Sequence, residues 1–236
     1  MRILFNDVVK NALIASTNAS GSYPADNLGD EFLRLRYQVD GTYDSITVTL
    51  EEAATIDSVW FGYMHNVDSL DVTFHDGGGT EIGAAPFGDY NEESFTARHF
   101  DPVSGVEEIR VEIGGTAPFF IGGMGAGEAL AMPAAVAAWD DGYIDNSVMV
   151  RSSHGQMQQQ YIEPYTRYAF AFTDSTLVEF LTIKSAAANV GKRPVWATLF
   201  ELSMDTYPPG YYSVELRSAK RERMLYRFDL VLEEAR

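Results

Sequence analysis

Four histidines, His65, His75, His99 and His154, are the first residues to test for chemistry, and their spacing argues against it. No two stand four apart, the helical spacing that places two imidazoles on one metal. Ser153-His154 is adjacent in sequence, and neighbouring side chains on a strand point to opposite faces, so no nucleophile–base pair follows. No G-x-S-x-G elbow, H-E-x-x-H helix or Walker A loop occurs. Gly123-Met124-Gly125-Ala126-Gly127 lacks the third glycine of a dinucleotide loop and the βαβ pattern around it. Acidic doublets recur at Glu51-Glu52, Glu92-Glu93, Glu107-Glu108, Asp140-Asp141 and Glu233-Glu234. Most stand beside turns or strand ends as solvated charge, and none is singled out as the facing carboxylate pair of a glycosidase. The expectation is a protein without a catalytic centre, whose work is binding or building.

Binding chemistry is better represented. Sugar sites use exposed aromatic platforms flanked by polar groups, and Trp60, Tyr63 and Tyr90 are the candidates, with core packing the competing role for each. Loops rich in Asp, Asn and Gly supply oxygen ligands to calcium. Asp26-Asn27-Leu28-Gly29-Asp30-Glu31 and Asp140-Asp141-Gly142 with Asp145-Asn146 are two such loops, neither fits the EF-hand consensus, and a plain turn is the stronger reading of each. The net charge of −17 excludes a nucleic-acid partner, which needs a basic surface. Residues 1–117 carry 20 acidic against 6 basic side chains, a balance of −14, and the remainder carries −3. Cysteine is absent, so there is no disulfide framework and no thiolate metal site. Met1–Phe5 is too short an apolar run for a signal peptide, and no stretch approaches the ~20 apolar residues of a membrane span.

The elements that must position these residues are mostly strands. Ile46, Val48 and Leu50 alternate with Thr47 and Thr49; Leu70, Val72 and Phe74 alternate with Asp71, Thr73 and His75; Ile109, Val111 and Ile113 alternate with Arg110 and Glu112. Period two with one polar face marks an antiparallel sheet wet on one side. Val59–Tyr63 is apolar throughout, as a central strand would be. Glycines crowd residues 114–127, which predicts a close-packed strand or a flexible crossover between two halves. In the second half, Thr176 and Glu179 have capping-box spacing for a helix near 175–190. Leu177, Phe180, Leu181 and Ala188 form its expected apolar stripe. Strands are predicted at Tyr165–Phe172, Val195–Leu202 and a well-patterned terminus through Tyr226, Phe228, Leu230 and Leu232. The fold class is therefore mainly β: an N-terminal antiparallel jelly-roll sandwich over 1–117, then a smaller β-rich α+β domain over 118–236 with one principal helix.

Two resemblances sharpen the functional expectation. Over residues 10–115 the order of features resembles the discoidin-like (galactose-binding-like) jelly rolls. It includes an Ala12–Ser16 strand, an Ala25-x-Asn27-x-x-Asp30 loop, Ile56-Asp57-Ser58-Val59-Trp60-Phe61, and closing strands at Phe100-Asp101-Pro102 and Ile109–Ile113. That family often holds a structural calcium in this loop, which implies Asp30 as a ligand. The second half resembles a module of tailed-bacteriophage structural proteins, through Trp139-Asp140-Asp141-Gly142, Pro194-Val195-Trp196 and Tyr226-Arg227-Phe228-Asp229-Leu230. This resemblance implies a virion protein of the tail tip, baseplate or fibre attachment, homo-oligomeric, docked to other tail proteins and located in the virion. The alternative is a free carbohydrate-binding module that recognises surface glycans.

Overall fold

The computed structural model describes all residues except 31–35, 90–94, 134–138, 145–147, 152–156, 161–164, 192, 200–208, 223–224 and 236. Along the chain run β1 (Arg2–Leu4), β2 (Leu13–Ser16), β3 (Tyr37–Val39), β4 (Tyr43–Gly62), β5 (His65–His75), β6 (Glu81–Asp89), β7 (Thr96–Ile121), β8 (Gly123–Gly127) and β9 (Leu130–Ala131). There follow β10 (Trp139–Ile144), β11 (Val148–Arg151), β12 (Met157–Gln160), β13 (Tyr165–Ser175) and the helix α1 (Leu177–Val190). The chain closes with β14 (Val195–Thr198), β15 (Gly210–Glu222) and β16 (Leu225–Glu234).

The chain forms two compact units: Met1–Met132 with Val195–Tyr211, and Pro133–Pro194 with Tyr212–Ala235. The expected division at 117 falls inside β7. The chain is also not divided once, because Val195–Tyr211 returns to the first unit. Two pairings account for this. β8 lies beside β4, with Trp60 opposite Gly125, and β14 lies antiparallel to β1, with Leu4 opposite Trp196.

The first unit is a jelly-roll-like sandwich built on two long partners. The early part of β4 pairs with β7 from Tyr43↔Gly114 to Thr49↔Glu108; after register shifts its late part pairs from Ser58↔His99 to Phe61↔Thr96. Bulges bend a ladder and increase its twist, so this pair is bent where the register shifts. One layer has the order β2-β4-β7-β5-β6; β8 extends the late part of β4, and β3 pairs with the end of β7. The alternating residues named from sequence turn inward together. Ile46, Val48, Leu70, Val72, Phe74, Ile109, Val111 and Ile113 join Val59, Phe61, Met124 and Ala126 in one buried core.

Asp44 locks the corner between β2, β3 and β4. Its buried carboxylate accepts from the Ser16, Thr17 and Tyr37 hydroxyls and from the backbone N–H of Thr17, Asn18 and Ser45. Burial pushes its pKa up, but the hydrogen bonds from Ser16, Thr17, Tyr37 and Ser45 outweigh burial and leave it below the usual carboxylate value.

The glycine-rich segment is a close-packed strand. A Cβ on Gly125 would lie 2.2 Å from Cδ1 of Trp196, so only glycine lets the indole rest on β8.

The second unit has an antiparallel sheet in the order β10-β13-β16-β15, and a β11–β12 hairpin. Its helix carries the expected capping box, with the Thr176 hydroxyl accepting from Glu179 N–H and the Glu179 carboxylate accepting from Thr176 N–H. The covered stripe differs from the expected one: Phe180, Ile183 and Val190 are buried, while Leu177 and Leu181 are 47% and 49% exposed. Phe180 sets the helix's rotation by stacking on Tyr226 at 4.9 Å and 6°.

Candidate functional site

The sequence candidates separate cleanly. Trp60 is a core residue with 0% exposure, held where β4 runs between β7 and β8. Its indole N–H donates to Thr198 Oγ1 at 3.1 Å, and its ring meets His99 edge-on at 5.2 Å. A ring so enclosed offers no face to a ligand, which corrects the expectation of a binding platform there. Tyr63 is 41% exposed, in the turn joining β4 to β5. Its φ of 52° is the left-handed region, uncommon for a bulky residue and usually held in place by its surroundings. Phe95 supports it, with ring centroids 4.7 Å apart at 62°. Tyr90 lies outside the described residues.

Asp30 closes the short 3-10 turn Ala25–Gly29 and lines a shallow recess with Asp26, Lys10, Val9, Ala12 and Gly29. Calcium takes six to eight oxygen ligands, many of them carboxylate. Among the described residues no cluster of three or more acidic or histidine side chains forms, and Lys10 shares the lining of the recess with Asp26 and Asp30.

The structure also assembles a group that the sequence did not suggest. Register places His65 of β5 and Gln38 of β3 on either side of Phe120 in β7. Phe119 and Ile121 are fully buried, so alternation turns Phe120 outward. The His65 imidazole stacks on the Phe120 ring at 4.6 Å and 10°, and the Arg36 guanidinium lies over the same ring at 4.9 Å. Two asparagines fix the backbone around this row. Asn27 Nδ2 donates to the Arg36 carbonyl at 2.8 Å, and Asn66, at φ 56°, donates to the Pro118 carbonyl at 3.0 Å. Tyr63 and His65 are two residues apart, within ~7 Å of chain, with Met64 buried between them. The legible signal was local: an outward Phe120 between two buried neighbours. Its meeting with residues 36 and 65 depends on register.

A second polar group shows what a histidine beside a serine does here. Ser58 Oγ lies 2.7 Å from Asp57 Oδ1 and 2.8 Å from His99 Nδ1, while His99 Nε2 lies 3.0 Å from Thr198 Oγ1. A single direction of donation satisfies the whole chain: Trp60 N–H to Thr198, Thr198 to His99 Nε2, His99 Nδ1–H to Ser58, and Ser58 to Asp57. In that arrangement Ser58 gives its proton to Asp57, not to the imidazole, and it is fully buried. The group is a structural tie, not a nucleophile and its base.

No family model matches the chain, and no curated protein matches it. Its fold is similar in part to solved carbohydrate-binding domains. The family 32 carbohydrate-binding module from C. perfringens NanJ, solved with galactose, is 18% identical, with a TM-score of 0.45 over 53% of this chain and 98% of that one. The lectin domain of Lectinolysin, solved with Lewis B antigen, is 10% identical, with a TM-score of 0.46 over 51% and 95%. A Streptococcus pneumoniae fucose-binding module is 10% identical, with a TM-score of 0.44 over 51% and 94%.

Proposed function

We propose that the first unit is a carbohydrate-binding module whose recognition surface lies around the β4–β5 turn. The observation that carries this reading is Tyr63: a large aromatic ring kept exposed in a strained backbone conformation and braced edge-on by Phe95. Leaving two-fifths of such a side chain in water forgoes about 1 kcal/mol of burial, so a ring braced there suits a ligand that buries it. A pyranose has one face of C–H groups and a rim of hydroxyls. The face packs on an aromatic ring, and the rim takes hydrogen bonds from a few placed polar groups. His65 follows Tyr63 by two residues and stacks on the Phe120 ring, so the same turn brings a polar imidazole to this stretch.

In a virion tail protein the C-terminal half would dock to the assembly and the N-terminal jelly roll would turn this surface outward to a host-surface glycan. Copurification with phage particles tests the former. For binding, the full chain is screened on a glycan array and the best ligand titrated by calorimetry, with Tyr63→Ala as the variant. A binder should appear, and Tyr63→Ala should weaken it at least about tenfold with unchanged melting. An array without a binder, or full affinity in the variant, overturns the reading.

A further inference from the structure

We infer that the Arg36–Phe120–His65 row is a subsite for a carboxylate-bearing sugar, a uronic or sialic acid residue, within the glycan surface proposed above, on which this inference rests.

The case begins with charge. Residues 1–117 hold six basic side chains against twenty acidic ones, so an anion approaches this stretch only where a cation has been left for it. The other described cations are engaged. Arg2 pairs with Asp57 at 3.8 Å, and Lys10 lies over the Tyr211 ring at 5.4 Å. Arg98 donates to the carbonyls of Ala97 and Phe87, and Arg110 pairs with Glu108 at 2.6 Å. Among the described residues, Arg36 alone of these cations has a guanidinium with neither an ion pair nor a hydrogen bond, and it is exposed.

Geometry adds selectivity. The guanidinium carbon lies 4.9 Å over the Phe120 ring, and among the described residues no protein acceptor takes its N–H groups, whose planar fork matches both oxygens of a carboxylate. The Arg36 backbone is pinned by Asn27 and by entry into β3, so less freedom is lost on binding. The imidazole stacked on the same ring holds in place the ring over which Arg36 lies. A neutral sugar leaves that cation unmatched.

The test uses the full chain and matched ligands: sialyllactose against lactose, and oligogalacturonate against its methyl ester. The acidic member should bind at least about tenfold more tightly at low salt, and the preference should shrink as ionic strength rises. Arg36→Gln should abolish the preference, bringing the acidic member of each pair down to the affinity of its neutral match, with the melting temperature unchanged. Equal affinity for both members of each pair, or a preference that survives in Arg36→Gln, overturns this inference and leaves the binding reading intact. Absence of binding to every glycan overturns both.

Discussion

Replacing Asp7 with asparagine removes a charge that the folded chain tolerates poorly, and the effect depends on pH. Asp7 is buried beside β8, where Oδ1 accepts the N–H groups of Val9 and Ala126, each at 3.1 Å. Oδ2 finds no partner of hydrogen-bond geometry. Burial raises its pKa from 3.8 to about 6, with Lys10, the two N–H groups and the Trp196 indole tempering the rise. The unfolded chain loses this proton first. Between the two pKa values the folded form therefore holds more protons, and stability falls as pH rises. At about 1.4 kcal/mol per pKa unit, the ionised carboxylate costs about 3 kcal/mol at pH 7 and about 0.6 kcal/mol at pH 4. Asparagine keeps the accepting oxygen and cannot ionise. Urea unfolding of both proteins at pH 4, 5, 6 and 7, followed through Trp60 and Trp196, gives two stability curves. Repulsion among the other charges is common to both and cancels in their difference. Asp7→Asn should gain on the parent by about 2.4 kcal/mol between pH 4 and pH 7. Curves that stay parallel would refute the assignment of a buried, pKa-raised carboxylate.

Asp44→Ala strips the shared acceptor from Ser16, Thr17, Asn18, Tyr37 and Ser45, and should cost roughly 2–4 kcal/mol in urea unfolding at pH 7. Because its folded pKa is lowered, that advantage of the parent over the variant should fade as pH drops through the carboxylate range, opposite in sign to Asp7. Gly125→Ala forces a Cβ against the buried Trp196 ring and should cost about 1–3 kcal/mol, with a changed native tryptophan emission. Thr176→Ala breaks the capping box and should cost about 1 kcal/mol, read as faster amide exchange in the first turn of α1.

What was legible in the sequence was what nearest neighbours decide. Period-two alternation located the inward faces of β4, β5 and β7 because one residue's burial fixes the next one's exposure. The capping box was legible because Thr176 and Glu179 bond within one turn. The helix's covered stripe was not, because Leu177 and Leu181 lie on a stripe adjacent to that of Phe180 and Ile183, and a helix pattern alone cannot choose between them. The choice belongs to Tyr226 and Phe228, some fifty residues away, whose rings meet Phe180. Trp60 and Tyr63 illustrate the same limit at close range. Both belong to one apolar run, and the turn after Gly62 sends one inward and leaves the other in water. The Arg36–Phe120–His65 row required strand register, which no local pattern encodes.

The buried hydrogen-bond chain explains why the first unit does not end where its sequence pattern ends. Trp60, Ser58 and His99 belong to β4 and β7, yet the hydroxyl that completes the chain comes from Thr198. Without β14, the Trp60 N–H and His99 Nε2 would lose that partner inside the core, at about 1–3 kcal/mol each. The indole of Trp196, which rests on Gly125 and lies 6.0 Å from Phe95, would be lost with them. Phe95 in turn braces Tyr63. The candidate platform is thus two ring contacts from a strand some 130 residues away in sequence, and the glycines of β8 are the condition for that reach. A jelly-roll sequence pattern therefore underestimates this unit: the returning strand belongs to the scaffold that supports the proposed recognition surface.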